Sequence, residues 1–262
     1  MIGALERAHT LVGDAERIVV LTGAGVSAES GVPTFRGSGG LWKSRRPEEL
    51  ATPGAFARDP RLVWEWYASR RTFVSGCVPN DAHLALARLA LTHSATTLIT
   101  QNVDGLHHRA AEAVARDEDP TGAYPLEVHG AIHRDLCSSC GLRTPGRLDV
   151  DTTSAETLPR CDMCAGMLRP DVVWFGEALD PGVIGASFEA ARLADVCLVV
   201  GTSAVVYPAA SVPEITHQAG GTVIEINPEA TPLTSMAAAS LRGLAGELVP
   251  ALLAETMIDR KR

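Results

Sequence analysis

A glycine-rich turn that directly follows a short apolar run is the strongest chemical signal in this chain of 262 residues. The run at residues 18–21 predicts a buried β-strand, and Gly23-Ala24-Gly25 and Ala28 come next. The first glycine allows a tight turn, the second lets a phosphate approach the backbone, and the small Ala28 lets the next helix pack closely. A helix that begins there offers unpaired N–H groups to a pyrophosphate. The pattern therefore predicts a dinucleotide site, although similar turns join many strands to helices without a ligand.

The residues after this turn differ from those of an ordinary dehydrogenase. Gly31 and Pro33 stop the helix almost at once, and Phe35 and Arg36 follow. We expect a loop folded over the cofactor, with Phe35 and Arg36 near its reactive end. A hydride-transferring dehydrogenase remains an alternative. Against it, no acidic residue ends a second strand about 20 positions after the glycines, where such enzymes hold the adenosine ribose.

Four of the six cysteines have the spacing of a metal site. Cys137 and Cys140 form one Cys-x-x-Cys pair, and Cys161 and Cys164 form a second pair after residues 141–160. This spacing is typical of tetrahedral zinc, and a site closed by four thiolates leaves no open position for catalysis. The alternatives are four unrelated buried cysteines or a redox pair. The spacing favours one structural zinc per chain.

Other polar residues follow apolar runs that predict strands at residues 96–100, 126–128, 196–200 and 222–227. In an open α/β sheet the ligand lies beyond the carboxyl ends of the strands, so these residues are expected to converge with the glycine turn. Each also has a simpler interpretation as a helix cap, an ordinary turn or a structural histidine. The candidates are Gln101, Asn102, Val103, Asp104, His129, Gly201, Thr202, Ser203 and Asn227.

The elements that must position these residues alternate between apolar strands and helices. This order predicts an α/β fold, a Rossmann-like doubly wound parallel sheet, with a smaller domain made of a zinc ribbon and a helical insertion. The clearest helix of the insertion is expected at residues 60–74. The predicted boundaries are 1–36, 81–133 and 169–262 for the discontinuous nucleotide-binding domain, 37–80 for the insertion and 134–168 for the zinc ribbon.

Composition restricts the partners. The formal net charge of −8 argues against nucleic-acid binding, which needs a basic surface. No window reaches about 18 apolar residues, and the first residues do not have the pattern of a signal peptide. We therefore expect a cytoplasmic protein that binds neither membrane nor nucleic acid. We also expect a monomer, although nothing in the sequence fixes the oligomeric state.

Six blocks, in order, resemble the sirtuins, the NAD-dependent protein lysine deacylases. The resemblance covers roughly residues 15 to 250. The blocks are residues 23–36, 100–107, 129–130, the two Cys-x-x-Cys pairs, 172–177 and 201–203.

The resemblance implies that NAD is a co-substrate and that the products are free lysine, nicotinamide and 2′-O-acyl-ADP-ribose. It makes His129 the catalytic base, and an unperturbed imidazole pKa of about 6.5 suits that role. Asn102 would orient a water or the ribose, Gln101 would contact the ribose, and Asp104 would accept from the nicotinamide carboxamide. The full set of implied cofactor contacts is Gly23, Ala24, Gly25, Ser27, Ala28, Glu29, Pro33, Thr34, Phe35, Arg36, Trp42, Gln101, Asn102, Val103, Asp104, Gly201, Thr202, Ser203, Asn227, Pro228, Glu229 and Ala245.

The implied substrate is an acylated lysine in a protein or peptide. The segment Val172-Val173-Trp174-Phe175-Gly176-Glu177 would supply an extended edge with which the peptide pairs as an added strand. A buried apolar strand is the alternative interpretation of the same residues.

One helix bears on the acyl group. Tyr67 and Arg70 lie three residues apart, on one helix face, where a phenol and a guanidinium can together bind a carboxylate. A surface helix with a snorkelling arginine is the alternative. Tyr-x-x-Arg after Val-Trp-Glu resembles the sirtuins that remove succinyl, malonyl and glutaryl groups, and the small Ala51 would leave room for a longer chain. We expect succinyl and malonyl removal with weaker acetyl removal. The alternatives are a plain deacetylase, a mono-ADP-ribosyltransferase, or a zinc-ribbon interaction module with a vestigial fold.

Overall fold

The computed structural model describes residues 2–34 and 47–254. The strands are β1 Ile18–Thr22, β2 Thr96–Thr100, β3 Leu126–Glu127, β4 Gly130–Cys137, β5 Arg143–Pro145, β6 Leu168–Val172, β7 Val196–Val200, β8 Thr222–Ile226 and β9 Ala239–Leu241. The main sheet has six strands in the order β3-β2-β1-β7-β8-β9, and every neighbouring pair is parallel. A second, antiparallel sheet has the order β5-β4-β6.

Helices cover both faces of the main sheet. They are α1 Ile2–Asp14, α2 Pro47–Leu50, α3 Pro53–Arg58, α4 Pro60–Ser75, α5 Asp81–Thr92, α6 Leu106–Ala115, α7 Pro181–Leu193, α8 Ser211–Gln218 and α9 Ala245–Leu253. Alternate residues of β1 face opposite layers, because successive side chains of a strand point to opposite faces. Ile18 and Val20 pack with α1, α5 and α9, whereas Val19 and Leu21 pack with α7 and α8. The prediction of a doubly wound sheet is therefore confirmed.

The smaller sheet and the segments that connect its strands contain the four paired cysteines, and the sheet packs against helices of the insertion. Trp64 and Tyr67 of α4 share a buried cluster with Ile132 of β4 and Leu168 of β6. Helix α4 begins where Asp59 accepts a hydrogen bond from the N–H of Leu62 at 3.0 Å, as an N-cap residue does. In the part of the chain that the structure describes, no helix is long and apolar enough to cross a membrane.

Candidate active site

Three strand ends lie level at one edge of the main sheet. Thr22 of β1 pairs with Thr100 of β2 on one side and with Val200 of β7 on the other. The loops that follow bond to one another: the N–H of Gly25 donates to the carbonyl of Gly201 at 2.7 Å. The predicted convergence of the glycine turn with the residues after β2 and β7 is confirmed.

Glycine is required where these loops meet. A Cβ on Gly25 would lie 2.7 Å from the carbonyl oxygen of Gly201. Gly201 has a φ of 60°, and a Cβ there would lie 2.4 Å from the backbone nitrogen of Val26. Any side chain would push the two loops apart. Gly25, where the sequence predicts that a phosphate approaches the backbone, thus also allows the backbones of the two loops to touch.

One cavity of about 570 Å³ opens at this sheet edge. It brings together residues predicted to bind the cofactor and residues predicted to bind the acyl-lysine. Phe35, Arg36 and Trp42 were also predicted and lie outside the described residues. The predicted residues that line the cavity are Gly23, Ala24, Gly25, Thr34, Ala51, Tyr67, Arg70, Gln101, Asn102, Val103, His129, Val172, Val173, Trp174, Phe175, Gly176, Glu177, Gly201, Thr202, Ser203, Asn227 and Glu229.

A buried hydrogen-bond network underlies the glycine loop. Ser27 donates from Oγ to Oδ2 of Asp104 at 2.7 Å, and Asn102 donates from Nδ2 to Ser27 Oγ and to the carbonyl of Gly23, both at 3.1 Å. Oδ1 of Asp104 accepts from the N–H of Leu106, the first residue of α6, at 2.9 Å, although Gly105 and not Asp104 occupies the N-cap position. Burial raises the pKa of Asp104. Ser27 and Asp104 therefore fix the loop and the helix from beneath, and the contact of Asp104 with a carboxamide stays a prediction.

Some predicted cofactor residues lie elsewhere. Ala28 is exposed, so the expectation that it packs a helix against β1 is wrong; the short 3₁₀ helix Ala24–Ser30 buries Val26 and Ser27 instead. Glu29 accepts from the N–H of Gly246 at 2.6 Å, in the first turn of α9, where the helix dipole favours a carboxylate. Pro228 is exposed, and Ala245 is buried at the start of α9. Pro33 and Asp104 line a smaller recess beside the main cavity.

His129 lies between β3 and β4 with one ring nitrogen fixed. Its Nδ1 donates to the carbonyl of Gln101 at 3.0 Å, so Nε2 carries the lone pair of the neutral ring. Burial lowers the pKa of His129, and the hydrogen bond to Gln101 offsets this only in part. The imidazole is therefore neutral at pH 7, as a proton acceptor must be.

The direction of this pKa shift predicts the pH profile. If His129 is the base, kcat/KM should be constant above the ordinary histidine pKa of about 6.5 and should fall only as the pH drops through a lower midpoint. Measuring kcat/KM from pH 5 to 9 with a saturating second substrate would check this. An acidic limb with its midpoint above pH 7 would contradict the assignment.

Helix α4 contributes Trp66, Tyr67 and Arg70 to the cavity wall. Tyr67 is buried, and its hydroxyl accepts from Nε1 of Trp174 at 2.9 Å. Burial raises the pKa of Tyr67, so the phenol keeps its proton and can donate it. The guanidinium carbon of Arg70 lies 5.1 Å from the ring centroid of Trp66, with Ala51 also in the cavity wall. The interpretation of this region as an ordinary surface helix is wrong, because Tyr67 is buried and Arg70 lines the cavity.

The segment at residues 172–177 differs from the extended edge that was predicted. Only Val172 belongs to a strand, and Gly176 has a φ of 88° in the turn that follows. The N–H of Val173 donates to the carbonyl of His129, and the N–H of Phe175 donates to that of Ala51, both at 2.9 Å. These bonds hold the segment against the cavity. Pairing of a peptide with it stays a prediction and would have to use its other backbone groups.

The sequence reasoning missed part of the cavity wall. Val205 and Tyr207 are apolar or aromatic yet exposed by 42% and 61% at its mouth. The only signal was the run Val-Val-Tyr at residues 205–207, shortly after the candidate residues 201–203, and it is too short to indicate an element of its own. The missed lining residues are Trp66, Leu179, Val205, Val206, Tyr207, Pro208, Ala230, Thr231 and Pro232.

The four paired thiols form a cluster that is far more compact than would be expected of unrelated cysteines. All four Sγ atoms lie within 4.8 Å of one another, with Cys137 and Cys164 at 3.5 Å and Cys140 and Cys161 at 3.8 Å. Tetrahedral Zn–S bonds of about 2.3 Å place sulfurs about 3.8 Å apart. The cluster therefore fits a zinc ion with four thiolate ligands and no open position. A redox pair would require only two of these thiols.

Comparison with known proteins gives one family. A sequence model of the Sir2 family matches residues 23–208. An NAD-dependent protein deacylase of Pyrobaculum aerophilum is 48% identical over 245 residues, which is 94% of this chain and 93% of that protein.

Solved structures agree over the whole fold. A Sir2 homologue in complex with NAD superposes with a TM-score of 0.87 at 46% identity and covers 97% of this chain and 94% of its own. A Sir2 protein in complex with a p53 peptide and NAD⁺ has a TM-score of 0.82 at 28% identity and covers 97% and 99%.

Proposed function

The chain belongs to the Sir2 family, and from that premise we propose that it is an NAD-dependent deacylase that removes succinyl and malonyl groups, and more weakly acetyl groups, from protein lysines. One observation carries the proposal: the cavity that joins the glycine turn and His129 also contains Tyr67 and Arg70. The residues proposed to bind NAD and a pair of side chains able to bind a carboxylate thus line the same cavity.

The sheet edge fits NAD. The glycines leave bare backbone at the strand ends, and Gln101, Thr202 and Ser203 add polar side chains to the same wall. Asn227 is held there by a 2.8 Å bond from its Nδ2 to the carbonyl of Thr202. When bound, NAD supplies an electrophilic ribose carbon and nicotinamide as the leaving group.

His129 supplies the base. Because Nδ1 is fixed by Gln101, the ring can accept a proton only at Nε2. We assign to Nε2 the proton of a ribose hydroxyl, which must leave before that oxygen can attack the acyl carbon. Asn102, bonded to Gly23 and Ser27, holds its amide in place beside the same cavity.

Tyr67 and Arg70 select the acyl group. A succinyl or malonyl chain ends in a carboxylate, which the phenol can bind by donating its proton and the guanidinium by its charge. Burial strengthens both interactions, because the local dielectric is lower than that of water. An acetyl group makes neither contact, so we expect it to react more slowly.

The thiol cluster has a structural role in this proposal. Metal binding by four thiolates contributes directly to folding, so a chelator strong enough to remove zinc should unfold the small sheet and abolish activity together. Thiol titration, melting temperature and turnover should change in parallel, and added zinc should restore them. Full activity in protein whose zinc loss is verified would rule out this role.

The reaction class is tested by its products. With a succinyl-lysine peptide and NAD, we expect equal amounts of nicotinamide and free-lysine peptide, and no turnover without NAD. Labelled NAD should leave no ADP-ribose on protein. Label transfer to protein without loss of succinyl groups would favour the ADP-ribosyltransferase alternative and contradict the proposal.

A further inference from the structure

A fully buried arginine connects α4, the helix that carries Tyr67 and Arg70, to the small sheet. Arg71 follows Arg70 on α4, and its side chain and that of Asp135 on β4 are both 0% exposed. Its NH2 donates to Oδ1 of Asp135 at 2.7 Å and to the carbonyl of Arg134 at 3.2 Å. Its Nε donates to the carbonyl of Ile132 at 2.7 Å, and its NH1 to that of Arg147 at 2.6 Å. Four hydrogen bonds thus fix a group that has five N–H donors.

The site is shaped for this guanidinium. A Cβ on Gly146 would lie 2.8 Å from both the guanidinium carbon and NH1 of Arg71. The guanidinium carbon also lies 5.6 Å from the ring centroid of Trp64. Trp64 itself donates from Nε1 to the carbonyl of Leu168 on β6 at 2.9 Å. The two residues therefore anchor one face of α4 to two strands of the small sheet.

Tyr67 lies between these two anchors on the same face. Trp64, Tyr67 and Arg71 stand at positions i, i+3 and i+7 of the helix, and Arg70 lies on the adjoining side. The rotation and height of α4 therefore set where the phenol and the Arg70 guanidinium meet a ligand.

We propose that Arg71, through its ion pair with Asp135, is a positioning residue that determines acyl selectivity by holding α4 in register with the small sheet. The inference rests on the proposed function, because it assumes that Tyr67 and Arg70 bind the carboxylate of the acyl group. Arg71 lies outside the cavity wall and acts only through its neighbours. Its loss should therefore change the recognition of the acyl group more than the binding of NAD.

The test uses Asp135→Asn, which keeps the shape of the buried pair and removes its negative charge. The guanidinium then loses its counter-ion, and α4 can shift. Misplacement by about 1 Å can cost up to about 10²-fold, so we expect the succinyl-to-acetyl ratio of kcat/KM to fall roughly tenfold. The KM for NAD and the zinc content should stay at their wild-type values. Gly146→Ala, whose Cβ would press on the guanidinium of Arg71 and on the backbone of His133 in β4, should shift the ratio in the same direction.

Thr216→Val is the matched control for simple destabilisation. Thr216 is buried and donates to the carbonyl of Ala191 at 2.9 Å, between α7 and α8, and it does not line the cavity. At temperatures well below the melting point of each variant, Thr216→Val should leave the succinyl-to-acetyl ratio of kcat/KM unchanged. If Asp135→Asn and Gly146→Ala also leave the ratio unchanged, Arg71 only stabilises the fold and the inference is overturned.

The same assays separate this inference from the proposed function. If the wild-type enzyme does not prefer succinyl-lysine, the proposed specificity fails. The KM for acetyl-lysine then tests whether Arg71 positions α4. A several-fold rise of that KM in Asp135→Asn, with the KM for NAD unchanged, would still support positioning of α4. An unchanged KM would overturn it.

Discussion

Replacing His129 with alanine should reduce kcat/KM by about 10²–10⁴-fold, the usual cost of removing a general base. The structure gives the reason: the ring is neutral, and Gln101 fixes its Nδ1, so one nitrogen is held ready to accept a proton. Turnover of a succinyl-lysine peptide, followed by mass spectrometry under subsaturating conditions, measures the loss.

Two controls accompany His129→Ala. Calorimetric titration should show that NAD still binds, because the glycine loops do not depend on this side chain. His217→Ala, at an exposed position on α8, should leave turnover unchanged within about twofold, as expected for a surface substitution. A loss of less than about tenfold in His129→Ala would mean that this residue is not the base.

Replacing Arg70 with methionine should collapse succinyl activity and spare acetyl activity. Removing one partner of a desolvated charge pair costs about 2–5 kcal/mol, which corresponds to a loss of about 30-fold to several thousand-fold in kcat/KM. Methionine keeps much of the length and removes the charge. The acetyl-lysine peptide offers no carboxylate, so its kcat/KM should stay within a few fold of the wild-type value.

The two substrates control for each other, since misfolding would lower both activities. Arg61→Met, at an exposed position of the same helix, provides a matched variant that should affect neither. Equal losses on both substrates in Arg70→Met would show that Arg70 supports the fold and does not read the acyl group.

The features that could be predicted from the sequence are those that depend on residues close together in the chain. Apolar runs identified β1, β2 and β7, and parallel strands necessarily bring the residues after them to one edge. The cysteine spacing predicted the thiol cluster, because two cysteines separated by two residues can bind the same metal ion. Helix periodicity placed Tyr67 and Arg70 side by side at positions i and i+3, and only the resemblance to a sirtuin subgroup gave the pair its expected role.

Other features depend on contacts between distant segments, which periodicity does not show. Glu29 has the type and place of a cofactor residue, yet its partner is Gly246. The segment at residues 172–177 contains β-forming residues, but Gly176 and bonds to Ala51 and His129 turn it. Arg71 looks like a second surface arginine, and only its partner Asp135 and three carbonyls explain its burial.

The most direct test of the proposed function offers one peptide as acetyl-, succinyl-, malonyl- and glutaryl-lysine, each with NAD, and follows all products by mass spectrometry. We expect NAD-dependent removal of every group that reacts, formation of nicotinamide and O-acyl-ADP-ribose, and a kcat/KM for succinyl- and malonyl-lysine well above that for acetyl-lysine. A preference for acetyl-lysine would contradict the carboxylate-binding role of Tyr67 and Arg70, and no NAD-dependent removal of any acyl group would contradict the proposed function itself.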